Sequence, residues 1–151
     1  MADVVSVDKR SLMMAGIQSK NTKPEKTVRS VLHRLGFRFR IHDRSIPGNP
    51  DIVLRKYKAV LFVHGCFWHS HSCHLFKLPS TKTEFWKAKL SGNKERDLIV
   101  LDALRKTGWR VGVVWECALK GKKKLDIVTV GLRLEKWLLS RRSYIEIICS
   151  A

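Results

Sequence analysis

Between His64 and His74 the sequence reads His-Gly-Cys-Phe-Trp-His-Ser-His-Ser-Cys-His, so four imidazoles and two thiols fall within eleven residues. A structural zinc ion takes four Cys or His ligands in a tetrahedron. Cys66, His71 and Cys73 supply three at the spacing C-x4-H-x-C, and Cys117, after the apolar run WRVGVVW, can bring the fourth from the core. Structural zinc adds about 10–16 kcal/mol of apparent binding energy to folding. That would let the irregular stretch 66–81 hold its shape with few apolar anchors. The spacing is not the common C-x2-C pair, and unrelated buried thiols are the competing explanation. Cys149 has no histidine nearby and reads as a plain core or edge thiol.

With those four residues on zinc, His64 and His69 are free for other work. A neutral imidazole is the default general acid or base near pH 7. Asp51 is their candidate partner. It opens the strand DIVL, which is otherwise apolar. If Leu54 pairs with Ala59 across the four-residue turn RKYK, Asp51 falls opposite Phe62, next to Val63 and His64. A carboxylate there needs a partner, and a divalent cation is one. A turn aspartate after Pro50 is the plainer explanation. Glu25 also has a plain role, as the last member of the box Thr22-Lys23-Pro24-Glu25.

Phe67, Trp68 and Trp86 form a third group. Phe67-Trp68 sits in a loop rather than at helical or strand spacing. Core filling over the zinc site is one explanation, and it suffices for Trp109, Trp115 and Trp137. Beside basic surface, Phe67-Trp68 also suits a wedge into stacked bases. Unstacking costs a few kcal/mol per step and base–aromatic stacking returns about 1–3 kcal/mol per base, a near balance that favours an already weakened pair.

These residues need a scaffold. The box at Thr22 and the apolar positions Val28, Val31, Leu32 and Leu35 predict a helix stopped by Gly36. FRFRI (37–41) alternates as a strand with Phe37, Phe39 and Ile41 on one face. DIVL (51–54) and AVLFVHG (59–65) are short apolar strands. A short helix is expected around 82–90. A second runs from a cap at Asn93 to Thr107, with Leu98, Leu101 and Leu104 inward. WRVGVVW (109–115) is a strand, 124–139 a last amphipathic helix, and YIEIIC (144–149) an edge strand. A further short helix is expected over 8–19. From residue 23 to 115 the order is α-β-β-β-α-β, a mixed α/β sheet with helices against its faces.

Length and composition bound the rest. One domain spanning 1–151 is expected, with a helical arm at 1–20 and a tail at 140–151. Apolar residues are 44% and charged residues 28%, which excludes wholesale disorder. No apolar run reaches the ~18 residues of a membrane-spanning helix. The N-terminus lacks the pattern of a secretory signal. A reducing cytosolic compartment is therefore expected, which favours metal ligation over disulfides. Thirty Lys and Arg against thirteen Asp and Glu give a net charge of +17. Nine basic residues against three acids lie in 1–40, and eight against two in 120–142. Such a domain usually meets a polyanion. Nucleic acid is the first expectation and an anionic membrane the weaker one. The run Lys122-Lys123-Lys124 is also explained as a solvated helix start.

At these residues a resemblance emerges. SIPGNPDIVL, VHGCFWHSHSCHLFKLP, TKTEFW, NKERD and GWRVGVVWECAL closely resemble the very short patch repair (Vsr) DNA mismatch endonucleases, from about residue 10 to residue 139. The resemblance implies a monomeric, Mg²⁺-dependent enzyme with a restriction-endonuclease-like fold and a structural Zn²⁺. It implies a single-strand nick 5′ to the T of a T·G mismatch, the lesion left when 5-methylcytosine deaminates. Asp51 and the backbone carbonyl of Val63 would hold Mg²⁺, and His69 would activate water. Glu25 and His64 would support the metal-bound waters and the phosphate. Cys66, His71, Cys73 and Cys117 would hold zinc. Phe67, Trp68 and Trp86 would enter the major groove, Met14 would approach from the minor groove, and Lys89 would be a further DNA contact. A cytoplasmic, nucleoid-associated bacterial protein follows, with a MutL-type repair protein as a possible partner. The wider restriction-type superfamily expects D…E-x-K, whereas the strand after Asp51 reads Leu61-Phe62-Val63-His64, with neither Glu nor Lys. A carbonyl and a histidine must replace them, as they do in this family. Two other readings stay open: a zinc-stabilised, non-catalytic DNA-binding module, and a restriction-type endonuclease acting on intact duplex.

Overall fold

The computed structural model describes residues 21–151. The expected helix over 8–19, the 1–20 arm and Met14 lie outside the described residues. The elements are α1 (Lys23–Arg34), β1 (Arg40–Ile41), β2 (Ile52–Leu54), a 3₁₀ turn (Arg55–Tyr57) and β3 (Ala59–His64). They continue with α2 (Thr83–Lys106), β4 (Arg110–Trp115), α3 (Glu116–Leu119), α4 (Ile127–Leu138) and β5 (Tyr144–Ile147). The α-β-β-β-α-β order from residue 23 to 115 is as the sequence predicts.

The five strands form one sheet in the order β1-β2-β3-β4-β5. β1, β2 and β3 run antiparallel, while β3, β4 and β5 run parallel. Parallel neighbours need crossovers, and α2 and α4 supply them. Period-two alternation sends Ala59 and Leu61 to one face, where α1 and α4 pack with Val28, Leu32, Val130, Leu134 and Trp137. It sends Val60 and Phe62 to the other face, against Val100, Leu101 and Leu104 of α2. Gly112 in β4 is required by close packing. A Cβ there would meet Leu61 at 2.5 Å, Ile145 at 3.0 Å and Trp137 at 3.2 Å. The mixed α/β fold, a central sheet flanked by helices, is consistent with the restriction-endonuclease-like architecture. Among the described residues, no helix is long and apolar enough to cross a membrane.

Three local expectations need correction. The two helices at 82–90 and 93–107 are one 24-residue helix, α2. Asn93 does not cap it. Its Nδ2 donates to the Trp68 carbonyl at 3.0 Å, so a residue read as a helix start ties mid-helix to the histidine-rich loop. Leu98 does not point inward and is 63% exposed. At ~1.5 Å per residue α2 is roughly 36 Å long, and its sheet contact is carried by Val100, Leu101 and Leu104. FRFRI is not a continuous strand. Only Arg40 and Ile41 pair, with Val53 and Ile52. Phe37 instead turns into the core, edge-on to Tyr57 at 5.5 Å, while Ile41 is exposed.

Thr22 caps α1, accepting from the Glu25 N–H at 3.4 Å. The reciprocal bond is displaced by one residue: the Glu25 carboxylate accepts from the Asn21 N–H at 2.9 Å. Glu25 is nonetheless buried, and its functional surroundings explain why.

Candidate active site and metal centre

The hairpin register sets the first part of the site. Leu54 pairs with Ala59 and Ile52 with Leu61, so Asp51 lies opposite Phe62 as the sequence predicts. Its Oδ2 accepts from the Val63 N–H at 2.7 Å. Burial, and then the neighbouring Glu25 charge, outweigh that bond and push the Asp51 carboxyl up to about 6. Glu25, from the first turn of α1, stands beside it. The Glu25 Oε2 accepts from Arg29 Nη2 at 2.9 Å and lies 3.0 Å from His42 Nε2. Oxygen and nitrogen donors of Glu25, His42 and Asp51 all fall within 4.8 Å of one another. Sequence reasoning did not single out His42.

The second part hangs from the end of β3. His64 and His69 stack with ring centroids 3.8 Å apart and planes 6° from parallel. Burial, and then the His69 charge, hold His64 far down, at about 3, so it is neutral at ordinary pH. His69 Nδ1 lies 2.6 Å from Asp97 Oδ2. An ionised carboxylate only accepts, so Nδ1 donates this bond, and in the neutral imidazole Nε2 is then the nitrogen with the lone pair. Asp97 closes the run NKERD, and its sequence context alone assigns it no role. Its signal was the i, i+4 spacing from Asn93, which puts both on one face of α2. From that face one residue holds the Trp68 carbonyl and the other the His69 ring.

The four expected zinc ligands converge. Cys66, His71, Cys73 and Cys117 bring their ligand atoms within 4.8 Å of one another. His71 Nδ1 is 3.5 Å from the Cys66 sulfur and 3.6 Å from the Cys117 sulfur. Zinc bonds of about 2.3 Å to sulfur and about 2.0–2.1 Å to nitrogen give tetrahedral edges of roughly 3.5 Å, so the cluster fits the ion. Burial raises the Cys66 thiol strongly and the Cys117 thiol to about 11. Two crowded, neutral thiols are what a cation would relieve. Burial lowers His71, which keeps its nitrogen available as a ligand. Cys149 is half-buried and packs in the same cluster as Cys117.

Trp115, assigned only to core filling by its sequence, joins the two parts. Its ring stacks on His71 at 4.2 Å and 9°, and it meets His64 edge-on at 5.2 Å. The indole N–H donates to Glu146 of β5 at 2.6 Å.

The aromatic group also assembles across a long sequence gap. Phe67 meets Trp68 at 5.1 Å and Trp86 at 5.4 Å, and the two indoles are 5.9 Å apart. Phe85, which sequence reasoning passed over, is 57% exposed beside Trp86. Lys89 is exposed on α2, one turn after Trp86. A cleft of about 1220 Å³ is lined by Glu25, His42, Asp51, His64, His69, Asp97, Phe67 and Trp68. One opening therefore serves the carboxylates, the imidazole pair and the aromatic edge. Such an arrangement can bind a cation and an anion, take a proton from water, and stack flat rings.

Comparison with known proteins agrees with this chemistry. A family model described as DNA mismatch endonuclease Vsr matches residues 2–75. The chain is 48% identical to the "DNA mismatch endonuclease Vsr" of Escherichia coli (strain K12), over 91% of this chain and 88% of that protein. It is 49% identical to the "Type II nicking enzyme V.XorIIP" of Xanthomonas oryzae pv. oryzae, over 83% and 93% of the two chains. It is 50% identical to the "Type II nicking enzyme V.NmeAIP" of Neisseria meningitidis, over 81% and 87%.

Proposed function

The chain belongs to the Vsr family of DNA mismatch endonucleases, DNA-nicking enzymes of mismatched DNA, and on that premise we propose that it nicks one strand 5′ to the T of a T·G mismatch, starting very short patch repair. The observation that carries the site assignment is the Asp51 carboxylate, pinned by the Val63 N–H in the cleft that also holds the His69–Asp97 pair.

Mg²⁺ is the catalytic cation of this reading. The residues fit it: Asp51 is a buried carboxylate beside a second one, and burial together with the Glu25 charge raises its pKa, a cost that a cation would offset. Asp51 and the Val63 carbonyl would hold the ion, with Glu25 and His64 supporting its waters. When bound, it neutralises charge on the scissile phosphate and on the leaving O3′. The remaining work belongs to the chain. His69 Nε2 takes a proton from the attacking water, and Asp97 stabilises the imidazolium that results. His64, neutral and stacked on His69, keeps that ring in its plane without adding charge. Phe67, Trp68 and Trp86 enter the weakened base pair, and Lys89 meets backbone phosphate, with Met14 on the minor-groove side. Zinc on Cys66, His71, Cys73 and Cys117 fixes the loop that carries Phe67 to His69.

The protein acts as a monomer on double-stranded DNA, in the bacterial cytoplasm at the nucleoid, with a MutL-type protein as an accessory partner. The test is strand-specific cleavage of a T·G heteroduplex with Mg²⁺, beside the fully paired duplex. Asp51→Ala should bind the heteroduplex and leave it intact. Full nicking by that variant would refute the Mg²⁺ assignment. Equal cleavage of the paired duplex would favour the restriction-type activity instead.

A further inference from the structure

The run Lys122-Lys123-Lys124 does not start a helix. The helix expected from residue 124 begins at Ile127, so the three lysines stand exposed on the loop between α3 and α4. Among the described residues no carboxylate pairs with any of them. Glu116 meets this loop only at Lys120, at 3.8 Å.

Like charges side by side repel, yet the backbone beneath these is anchored. The Lys124 N–H donates to the Gly121 carbonyl at 3.2 Å, and the Leu125 N–H to the Ala118 carbonyl at 2.8 Å. Ser150, in the tail after β5, brings its N–H to the Lys123 carbonyl at 2.8 Å and its hydroxyl to the same oxygen at 3.0 Å. Gly121 has a φ of +91°, and a Cβ there would meet His74 Nε2 at 2.9 Å and Leu75 at 3.3 Å. The lysine loop therefore lies directly on the loop 66–81, which adds exposed Lys77 two residues after Leu75. A run of charges that merely faces water needs none of this anchoring. The loop also begins at the cleft, because Glu116, the partner of Lys120, is part of the cleft lining.

We propose that the loop 120–124 is a second DNA-contact surface, which grips backbone phosphates of the duplex flanking the mismatch on one side. The inference rests on the mismatch reading of the cleft above. A duplex whose weakened pair sits in the cleft must run on past its rim, and at the Glu116 edge it meets the lysines. An ammonium is a point charge without the planar fork that reads bases. Contacts of this kind hold and orient the duplex but carry no sequence information, so the loop adds affinity and leaves mismatch preference to the aromatic edge.

The experiment compares the zinc-loaded full chain with the combined variant Lys122→Gln, Lys123→Gln, Lys124→Gln. Binding to a T·G heteroduplex and to the paired duplex is measured over a salt series. The slope of log affinity against log salt should become shallower by about 2–3, roughly one for each lysine. The ratio of heteroduplex to paired affinity should not change. Arginine at the same three positions should restore the slope. Shortening the duplex on one side of the mismatch should abolish the deficit of the glutamine variant, and shortening it on the other side should preserve it. Equal binding on the first short duplex also shows that the variant is folded. An unchanged slope would overturn the inference, as would a deficit that survives shortening of either flank. Binding of the wild type to phosphatidylglycerol vesicles, lost in the glutamine variant while its DNA slope stays normal, would overturn it in favour of a membrane surface. If the wild type itself does not prefer the heteroduplex, the underlying mismatch reading falls. If it does and the variant keeps the full slope, only the lysine loop falls.

Discussion

Burying one carboxylate beside another costs free energy that depends on pH, and Asp51 makes that cost measurable. Its folded pKa of about 6 lies above the unfolded value of 3.8. The folded chain therefore holds this proton more tightly than the unfolded chain does. The group leaves stability untouched below about pH 4. Its penalty grows as pH rises through about 6 and is complete above, on the order of 2–3 kcal/mol. Asp51→Asn keeps an acceptor for the Val63 N–H and removes the charge. In denaturant titrations without divalent metal it should be more stable than the wild type at pH 7.5 and equal to it near pH 4. A gap that does not depend on pH would mean the penalty has another source. Asp97 is tested differently. Asp97→Ala should reduce nicking by roughly 10²-fold or more, with heteroduplex affinity unchanged, because it touches the proton acceptor and not the DNA. Reduced affinity with normal turnover would assign Asp97 to binding instead. Both His42 and Asp97 escaped sequence reasoning for the same reason. Each acquires its partner through strand register or helix phase, whereas Asp51 and the histidine-cysteine cluster stand out by type and spacing alone.

At the scale of elements, local signals were readable wherever one element made its own core contacts. α1 with its Thr22 cap, the hairpin of β2 and β3, β4 and the edge strand β5 all follow from apolar spacing and turn residues. The sequence reads α2 as two helices because Ser91-Gly92-Asn93 looks like a boundary: glycine costs about 1 kcal/mol in a helix. Tertiary contacts override it, since Asn93 and Asp97 both hold the loop above them. That loop, 66–81, has no strand or helix of its own. Its shape comes from the thiol–imidazole cluster and from those two α2 residues. Cys73→Ser should therefore lower zinc content and thermal stability together, and restoring excess zinc should not recover the wild-type melting point. A variant that binds no zinc yet melts normally would remove the structural role of the cluster.

Over the whole molecule, the charge of +17 and the cleft act on different parts of recognition. Phosphate attraction is independent of sequence. If about 6–10 phosphates are contacted, binding should weaken by roughly 10³–10⁵ between 50 and 200 mM salt. Trp68→Ala should keep that salt slope and lose the preference for the mismatch, which separates the aromatic edge from the basic surface. A changed slope with the preference intact would reverse the assignment. The mixed α/β class was legible because periodicity carries it, and the Cys/His cluster because its residue types and spacing do. The convergence of the two donor clusters on one opening was not, since it depends on a sheet whose antiparallel half brings Asp51 and whose parallel half brings Trp115. Trp115 gives this arrangement a spectroscopic use. Its indole contacts both His71 and His64. Cobalt exchanged into the thiol cluster should therefore displace and broaden the His64 and His69 ring resonances in a proton NMR spectrum, turning the structural ion into a beacon for what happens next door.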